Sequence, residues 1–320
     1  MSLNVSDLTV GYDTGNASSS LAIDSLSFSI PKRGYTIGLV GESGCGKTTL
    51  GMSILNLIPS PGRIKSGRIE FEGEDVLSFN KTRLNKYRGG DVAMIYQSAM
   101  NSLNPVMTVI QHLEEALVLH KKVEKKEARD ASAKMLHAVG IREERFDHYP
   151  HEFSGGMRQR VVIAMALALS PQLLIADEPT SALDVVVQQQ ILGLIAREVK
   201  DRNLSMIFIT HDLAILRGVV DYVAVMYAGK IVEVGPISKI LRSPEHPYTQ
   251  LLMSSLLTMN VDRSRSINSL ELGGPVTEPP QGELCNFSNR CKFVFDRCKR
   301  EVPKLLETQR ESLVACHKYH

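Results

Sequence analysis

The sequence has no apolar run long enough to cross a bilayer. Its longest, Val161 to Leu169, spans nine residues, against about 20 for a spanning helix. It also lacks charge of one dominant sign. Thirty-seven Lys and Arg face 35 Asp and Glu, a formal net charge of +2, which argues against a dedicated nucleic-acid binder. The start, MSLNVSDLTV, has neither a basic nor an apolar stretch, so no signal peptide is expected. Together these absences predict an intracellular protein that does not span the membrane. No internal repeat or long low-complexity tract is present. Cysteine is scarce until the end: Cys45 stands alone, and Cys285, Cys291, Cys298 and Cys316 fall in the last 36 residues. Composition is otherwise ordinary, 43% hydrophobic and 22% charged, as in globular proteins. At roughly 150 residues per domain, the 320 residues suit two domains, or one large domain with an appendage.

Strand and helix signals alternate over residues 1–258. Leu3 to Val10, Leu26 to Ile30 and Tyr35 to Val40 alternate or run apolar at strand length. Asp91 to Tyr96, Leu173 to Ala176 and Ser205 to Thr210 suit buried strands. Val223 to Tyr227 and Lys230 to Val234 suggest a hairpin about Ala228-Gly229. Helices are expected over Lys47 to Leu57, Thr108 to His120, Lys125 to Val139 (with Gly140 just past its end), Gly155 to Leu169 and Asp184 to Val199. Strands separated by helices imply an α/β fold with a largely parallel sheet. The opening strands, with no helix between them, imply an antiparallel β piece beside it. Residues 259–283 are polar, rich in Gly and Pro, and aperiodic, so they are expected to be a linker. Residues 284–320 form a cysteine-rich tail.

Gly41-Glu42-Ser43-Gly44-Cys45-Gly46-Lys47-Thr48 follows an apolar strand and opens a helix, and Thr49 continues it. This fits the phosphate-loop pattern G-x-x-x-x-G-K-[ST] in its proper context. Glycines let backbone N–H groups curl around phosphate, and the helix N-terminus adds a positive dipole. Lys47 is expected at the β- and γ-phosphates and the Thr48 hydroxyl at Mg²⁺. Cys45 is a spacer. Its place at a helix N-terminus could lower its pKa, but a bystander is the expected role. Leu173 to Asp177-Glu178 is an apolar strand ending in two acids, at the strand end where open α/β sheets bind ligands. Asp177 suits Mg²⁺. Glu178 suits the general base that polarises the attacking water. Alone, such an acid pair is more often a solvated strand end; the phosphate loop upstream favours the catalytic reading. No guanine-specific N-K-x-D motif appears.

Phe153-Ser154-Gly155-Gly156-Met157-Arg158-Gln159-Arg160 at a helix start resembles the signature motif of ATP-binding cassette (ABC) ATPases. It departs from the commonest L-S-G-G-Q form at Phe153 and Met157. The other positions of that family match in order. Tyr12 fits the aromatic that stacks on adenine. Gln97 fits the glutamine that senses Mg²⁺ and water. Ser181 to Asp184 fits the D-loop, and His211 the switch histidine at the γ-phosphate. The resemblance implies a cassette with a core sheet, an antiparallel β subdomain and a helical subdomain around residues 98–150. It further implies that two cassettes close head to tail on ATP, so the second must come from a partner.

Gln97 to Pro105, His148 to Arg160 and His246 to Leu252 further resemble ATPase subunits of dipeptide/oligopeptide importers, over nearly the whole chain. The F-S-G-G-M form resembles the D-type subunit of that pair. The resemblance implies an ATP hydrolase that drives uptake of peptides from the cytoplasmic face of the membrane. Its implied partners are a different ABC ATPase subunit, two membrane permease subunits and an extracytoplasmic substrate-binding protein. Relatives that move oligosaccharide, nickel or other small solutes keep the cargo open. A soluble ABC ATPase acting on nucleic acid or ribosomes is the alternative from another class. Such proteins usually carry a coiled coil or two cassettes, and neither appears.

The tail spacing is C-x5-C-x6-C-x17-C, with eight Lys and Arg against four acids. The missing C-x2-C weakens a zinc ribbon. A segment this short seldom folds without a staple, metal or partner. Spacing leaves a [4Fe-4S] cluster, zinc (with His317 and His320 as spare ligands) and metal-free thiols open. Resemblance to cluster-bearing importer subunits favours the cluster, on Cys285, Cys291, Cys298 and Cys316, as a structural staple. A redox-sensing regulator is the third functional reading.

Overall fold

A computed structural model describes residues 2–12, 20–97, 99–181, 183–259 and 284–319. The expected linker thus lies almost wholly outside the described residues, as does His320. In chain order the strands are β1 (Leu3–Tyr12), β2 (Ser20–Ile30), β3 (Thr36–Val40), β4 (Gly62–Phe71), β5 (Glu74–Asp75), β6 (Val92–Ile95), β7 (Leu173–Asp177), β8 (Ser205–Thr210), β9 (Tyr222–Tyr227), β10 (Lys230–Pro236), β11 (Leu306–Glu307) and β12 (Leu313–Val314). The helices are α1 (Lys47–Ile54), α2 (Lys81–Lys86), α3 (Val109–Lys121), α4 (Lys125–Ala138), α5 (Gly155–Ala168), α6 (Val185–Asp201), α7 (Ile237–Arg242) and α8 (Pro247–Met259). Among the described residues no helix is long and apolar enough to cross a membrane.

The strands make two sheets. One is antiparallel, in the order β2-β1-β4-β5; the other has the order β11-β12-β10-β9-β3-β8-β7-β6. In the second, β9, β3, β8, β7 and β6 run parallel, while β10, β12 and β11 add antiparallel at one side.

Strand side chains alternate between faces, and here the alternation divides the core. On β7, Leu173 and Ile175 join the antiparallel sheet's Leu3, Val5, Phe28 and Phe71, whereas Leu174 and Ala176 join Val161 and Ile191 of the helical layer. On β8, Ile207 and Ile209 take the first side, and Met206 and Phe208 the second. Each inner strand is therefore apolar on both faces, which is why it appears as a short unbroken run rather than an alternating one.

The helical region is built from α3, α4 and the start of α5. Its apolar positions Val109, Ile110, Leu113, Leu117, Ala128, Met135 and Leu136 are all buried, at the i, i+3, i+4, i+7 spacing of one helix face. The α4 helix stops where the sequence indicates. Gly140 has φ 79°, and the N–H groups of Gly140 and Ile141 return to the carbonyls of His137 and Leu136, a left-handed glycine ending.

The tail is docked on the central sheet. Glu233 and Val234 of β10 pair with Val314 and Leu313, and the Ala315 N–H donates to the Val232 carbonyl at 2.9 Å. Phe287, at 3% exposure, and Val314, at 0%, are buried. The Phe287 ring meets Tyr227, Tyr248 and His246 at 5.2, 5.5 and 5.9 Å between centroids.

Candidate active site

Between β3 and α1 the chain turns through the phosphate loop. Gly46 sits at φ 105°, and a Cβ added there would fall 2.2 Å from the Ala22 carbonyl oxygen. Only glycine tolerates that conformation and that approach together. The following helix is seated by Leu50 and Ile54, both buried. Its Gly51 faces Ile175 and Ile209, which a Cβ would meet at 3.3 Å. The loop is thereby fixed over the ends of β7 and β8.

The cleft beside it has a volume of about 310 Å³ and is lined by Ser43, Gly44, Gly46, Lys47, Thr48, Thr49, Gln97, Asp177, Glu178 and His211. Motifs separated by more than 160 positions in the sequence converge here. The Lys47 ammonium donates to the loop's own carbonyls, at 2.7 Å to Gly41 and 2.9 Å to Glu42. It is held at the loop centre, where entering phosphate would meet it.

Glu178 is gripped from two sides. Gln97 Nε2 donates to Oε2 at 3.1 Å, and His211 Nδ1 lies 2.8 Å from Oε1. Its backbone adopts φ 44°, uncommon for a residue of this size. Its N–H donates to the Ile209 carbonyl at 2.9 Å, which ties the strained position to β8. A carboxylate in contact with both a glutamine amide and a histidine is oriented to accept a proton and to have its position changed by either neighbour.

Asp177 is 1% exposed, and neither carboxylate oxygen has a hydrogen-bond partner. Burial, aided by Glu178, raises its pKa, while the nearby Thr48 hydroxyl and Lys47 act in the other direction. A buried carboxylate left unpartnered beside a threonine hydroxyl is the donor set a hard divalent cation needs. Thr48 and Asp177 therefore fit Mg²⁺, with Gln97 across the cleft.

Other expected site residues lie elsewhere. Glu42 and Cys45 do not line the cleft. Cys45 is buried, and burial raises its thiol pKa despite Lys47, the reverse of activation by a helix N-terminus. Tyr12 ends β1, half-buried, with its ring against Gly62. It is not among the cleft residues. The signature is on the helical layer: Ser154 caps α5 and accepts from the Met157 N–H at 3.4 Å, and Gly156 packs on Val187. Asp184 caps α6, accepting from the Val187 N–H at 3.0 Å. These two helix starts are neighbours outside the chain's own cleft.

Two partners of the loop were not foreseen from sequence. The Tyr248 hydroxyl accepts from the Glu42 N–H at 2.9 Å, and Arg290 of the tail pairs with the Glu42 carboxylate. Tyr248 belongs to the His246–Leu252 motif, which gave it no role. Arg290 carried no signal at all.

In the tail, all four cysteines line one small cavity, with Phe287, Phe293, Phe295 and His317 around it. Burial pushes Cys285 up to about 11, reinforced by the other three thiols, and raises Cys291 and Cys316 as well. Among the described residues, however, no group of three or more His, Cys, Asp or Glu side chains is gathered so as to hold a metal ion. This arrangement therefore supports neither the expected [4Fe-4S] cluster nor a single zinc, which needs donors at about 2.0–2.3 Å. His317 Nε2 is already engaged with the Glu301 carbonyl at 3.0 Å.

The fold and cleft define a phosphate-loop ATPase of the cassette type. Residues 23–181 match the ABC transporter family, and residues 232–298 match the oligopeptide/dipeptide transporter C-terminal region. The chain is 45% identical over 297 residues to the oligopeptide transport ATP-binding protein OppD of Bacillus subtilis, covering 92% of this chain and 82% of that one. It is 40% identical over 305 residues to the dipeptide transport ATP-binding protein DppD of Escherichia coli, covering 95% and 92%. Among solved structures, cbiO1 from Clostridium perfringens, part of the ABC transporter complex cbiONQ, aligns with a TM-score of 0.66 at 26% identity, covering 81% of this chain and 98% of that chain. The chain thus belongs to the ATP-binding subunits of ABC transporters of the oligopeptide/dipeptide type, and it is an ATPase coupled to transport.

Proposed function

We propose that this chain binds and hydrolyses ATP in the cleft between Lys47 and Glu178 to drive uptake of peptides through separate membrane subunits. The observation that carries the reading is the Glu178 carboxylate, held by Gln97 and His211 beside Lys47, Thr48 and an unpartnered Asp177. The loop amides and Lys47 would bind the β- and γ-phosphates. Glu178 would take the proton of the attacking water, while His211 holds the γ-phosphate and Gln97 the water. Mg²⁺, held by Thr48, Asp177 and Gln97, would offset the phosphate charge. Peptide cargo is supported by the relatives, the oligopeptide transport protein OppD and the dipeptide transport protein DppD.

The signature Ser154–Met157 and Asp184 do not line the chain's own cleft. In this reading they would complete the cleft of a second, different cassette, as that cassette's signature would complete this one. Two permease subunits and an extracytoplasmic binding protein supply the remainder, with this chain peripheral at the cytoplasmic face. Tyr12 would meet adenine at the open side of the loop.

Glu178→Gln tests the assignment. It removes the general base but leaves Lys47, Thr48 and the loop amides, so ATP binding should persist while hydrolysis in the assembled complex falls by at least ~100-fold. A wild-type rate refutes it.

A [4Fe-4S] cluster is the finer reading of the tail, whose four thiols surround one cavity. Cys285, Cys291, Cys298 and Cys316 would hold it, as a structural staple for the tail. Anaerobic protein should then contain iron and labile sulfide, lost in Cys291→Ser. Absence of both from anaerobic protein refutes the cluster.

A further inference from the structure

The phosphate loop carries two ionisable side chains besides the Cys45 thiol, Lys47 and Glu42. The cleft that lines up Lys47 for a polyanion excludes Glu42. The Glu42 carboxylate is paired with the tail instead. Arg290 Nη1 and Nη2 donate to its Oε2 and Oε1 at 2.8 and 2.9 Å, a two-pronged pairing across 248 positions of sequence. Both side chains are largely shielded, at 11% exposure for Arg290 and 24% for Glu42. The guanidinium is itself fixed over the rings of Tyr227 and Phe287, at 5.7 and 6.0 Å. The Glu42 main chain is pinned separately by Tyr248.

We propose that Arg290 of the cysteine-rich tail is a positioning residue of the nucleotide site. It neutralises the Glu42 carboxylate, holds it outside the cleft, and so keeps the phosphate loop receptive to a nucleoside triphosphate. The inference rests on the loop being the ATP site. Without Arg290, a free carboxylate sits on the very loop that must receive a triphosphate, and like charges at short range in a shielded site repel strongly. Lysine is a poor substitute, because only the planar guanidinium grips both oxygens at once. The coupling is reciprocal: whatever docks the tail favours ATP, and bound ATP favours the docked tail.

Charge masking makes a pattern that mere loss of tail structure does not. In the full-length chain, Arg290→Gln should weaken ATP-Mg²⁺ binding about tenfold, within the usual range for coupled sites. Adding Glu42→Gln to it should recover at least about fivefold, because the unmasked charge is then gone. In the assembled transporter, Arg290→Gln should raise KM for ATP while kcat changes less than about twofold, since Gln97, Glu178 and His211 are untouched. Hydrogen exchange of the tail amides should slow on adding ATP in the wild type and not in Arg290→Gln. Wild-type affinity in Arg290→Gln overturns the proposal, and so does an equal loss in the single and double variants, which would indicate tail structure alone. Lys47→Ala is the control for the loop. If it binds ATP like wild type, the loop assignment fails instead; if it loses binding while Arg290→Gln does not, only the present proposal falls.

Discussion

Mild acid should loosen this protein through one histidine. His246 is 2% exposed, beneath Phe287 and ahead of α8, with its Nδ1 accepting from the Tyr248 N–H at 3.1 Å. Burial holds its pKa down, from 6.5 to about 3, with the Ala315 backbone opposing weakly. Above pH 6.5 the ring is neutral folded or unfolded and contributes no pH dependence. As pH falls below 6.5, the unfolded chain takes up a proton that the folded chain refuses, so stability declines, and the decline ends only near pH 3. At pH 5 the interval is about 1.5 pH units, worth about 2 kcal/mol at 1.36 kcal/mol per unit. The assay is urea unfolding of wild type and His246→Gln at pH 7.5 and pH 5, read as the change of stability between the two pH values. Glu233 and Asp177, whose pKa values burial raises, are present in both proteins and cancel. Wild type should lose about 2 kcal/mol more than the variant over this interval. Equal losses, within about 0.5 kcal/mol, would show that the imidazole is not held neutral and refute the argument.

Gly46→Ala places a methyl carbon against the Ala22 carbonyl at φ 105°; ATP binding should be abolished and stability should fall by about 1–3 kcal/mol, measured by nucleotide titration and thermal melting. Phe287→Ala removes a buried ring from Tyr227, Tyr248 and His246. Its cost of about 3–5 kcal/mol should fall on the docked tail, seen as protease cleavage after residue 284 under conditions where α5 and α6 stay protected.

The inner strands were legible because their burial on both faces leaves an unbroken apolar run: Ser205–Thr210 is buried throughout and matches its expected limits. The hairpin turn was legible for a different reason, since Ala228 and Gly229 both take positive φ, 46° and 81°, as a tight hairpin demands. By contrast, β4 was missed. Its sequence GRIKSGRIEF is mostly exposed until Ile69, so no apolar pattern announces a strand that is held chiefly by pairing with β1. The chemistry of the cleft was readable because each motif is local and the family order is strict. The contact of Arg290 with Glu42 was not, because nothing near either residue encodes a partner 248 positions away. The tail's docking was not legible either: Phe287, Val314 and Ala315 are buried while Phe293, Val294, Phe295, Val302, Leu306 and Leu313 stay exposed, a division that composition cannot reveal.

The pairing of Val314 and Leu313 with Glu233 and Val234 also closes a border. Strand β10 would otherwise end the central sheet on that side with a row of open N–H and C=O groups, a template on which another chain could assemble. Instead the tail fills it with the two-residue strands β12 and β11, so short that little ladder is left to extend. The tail therefore acts as a selvedge for the sheet: it covers the ladder on which β10 could exchange strands with another copy of the chain.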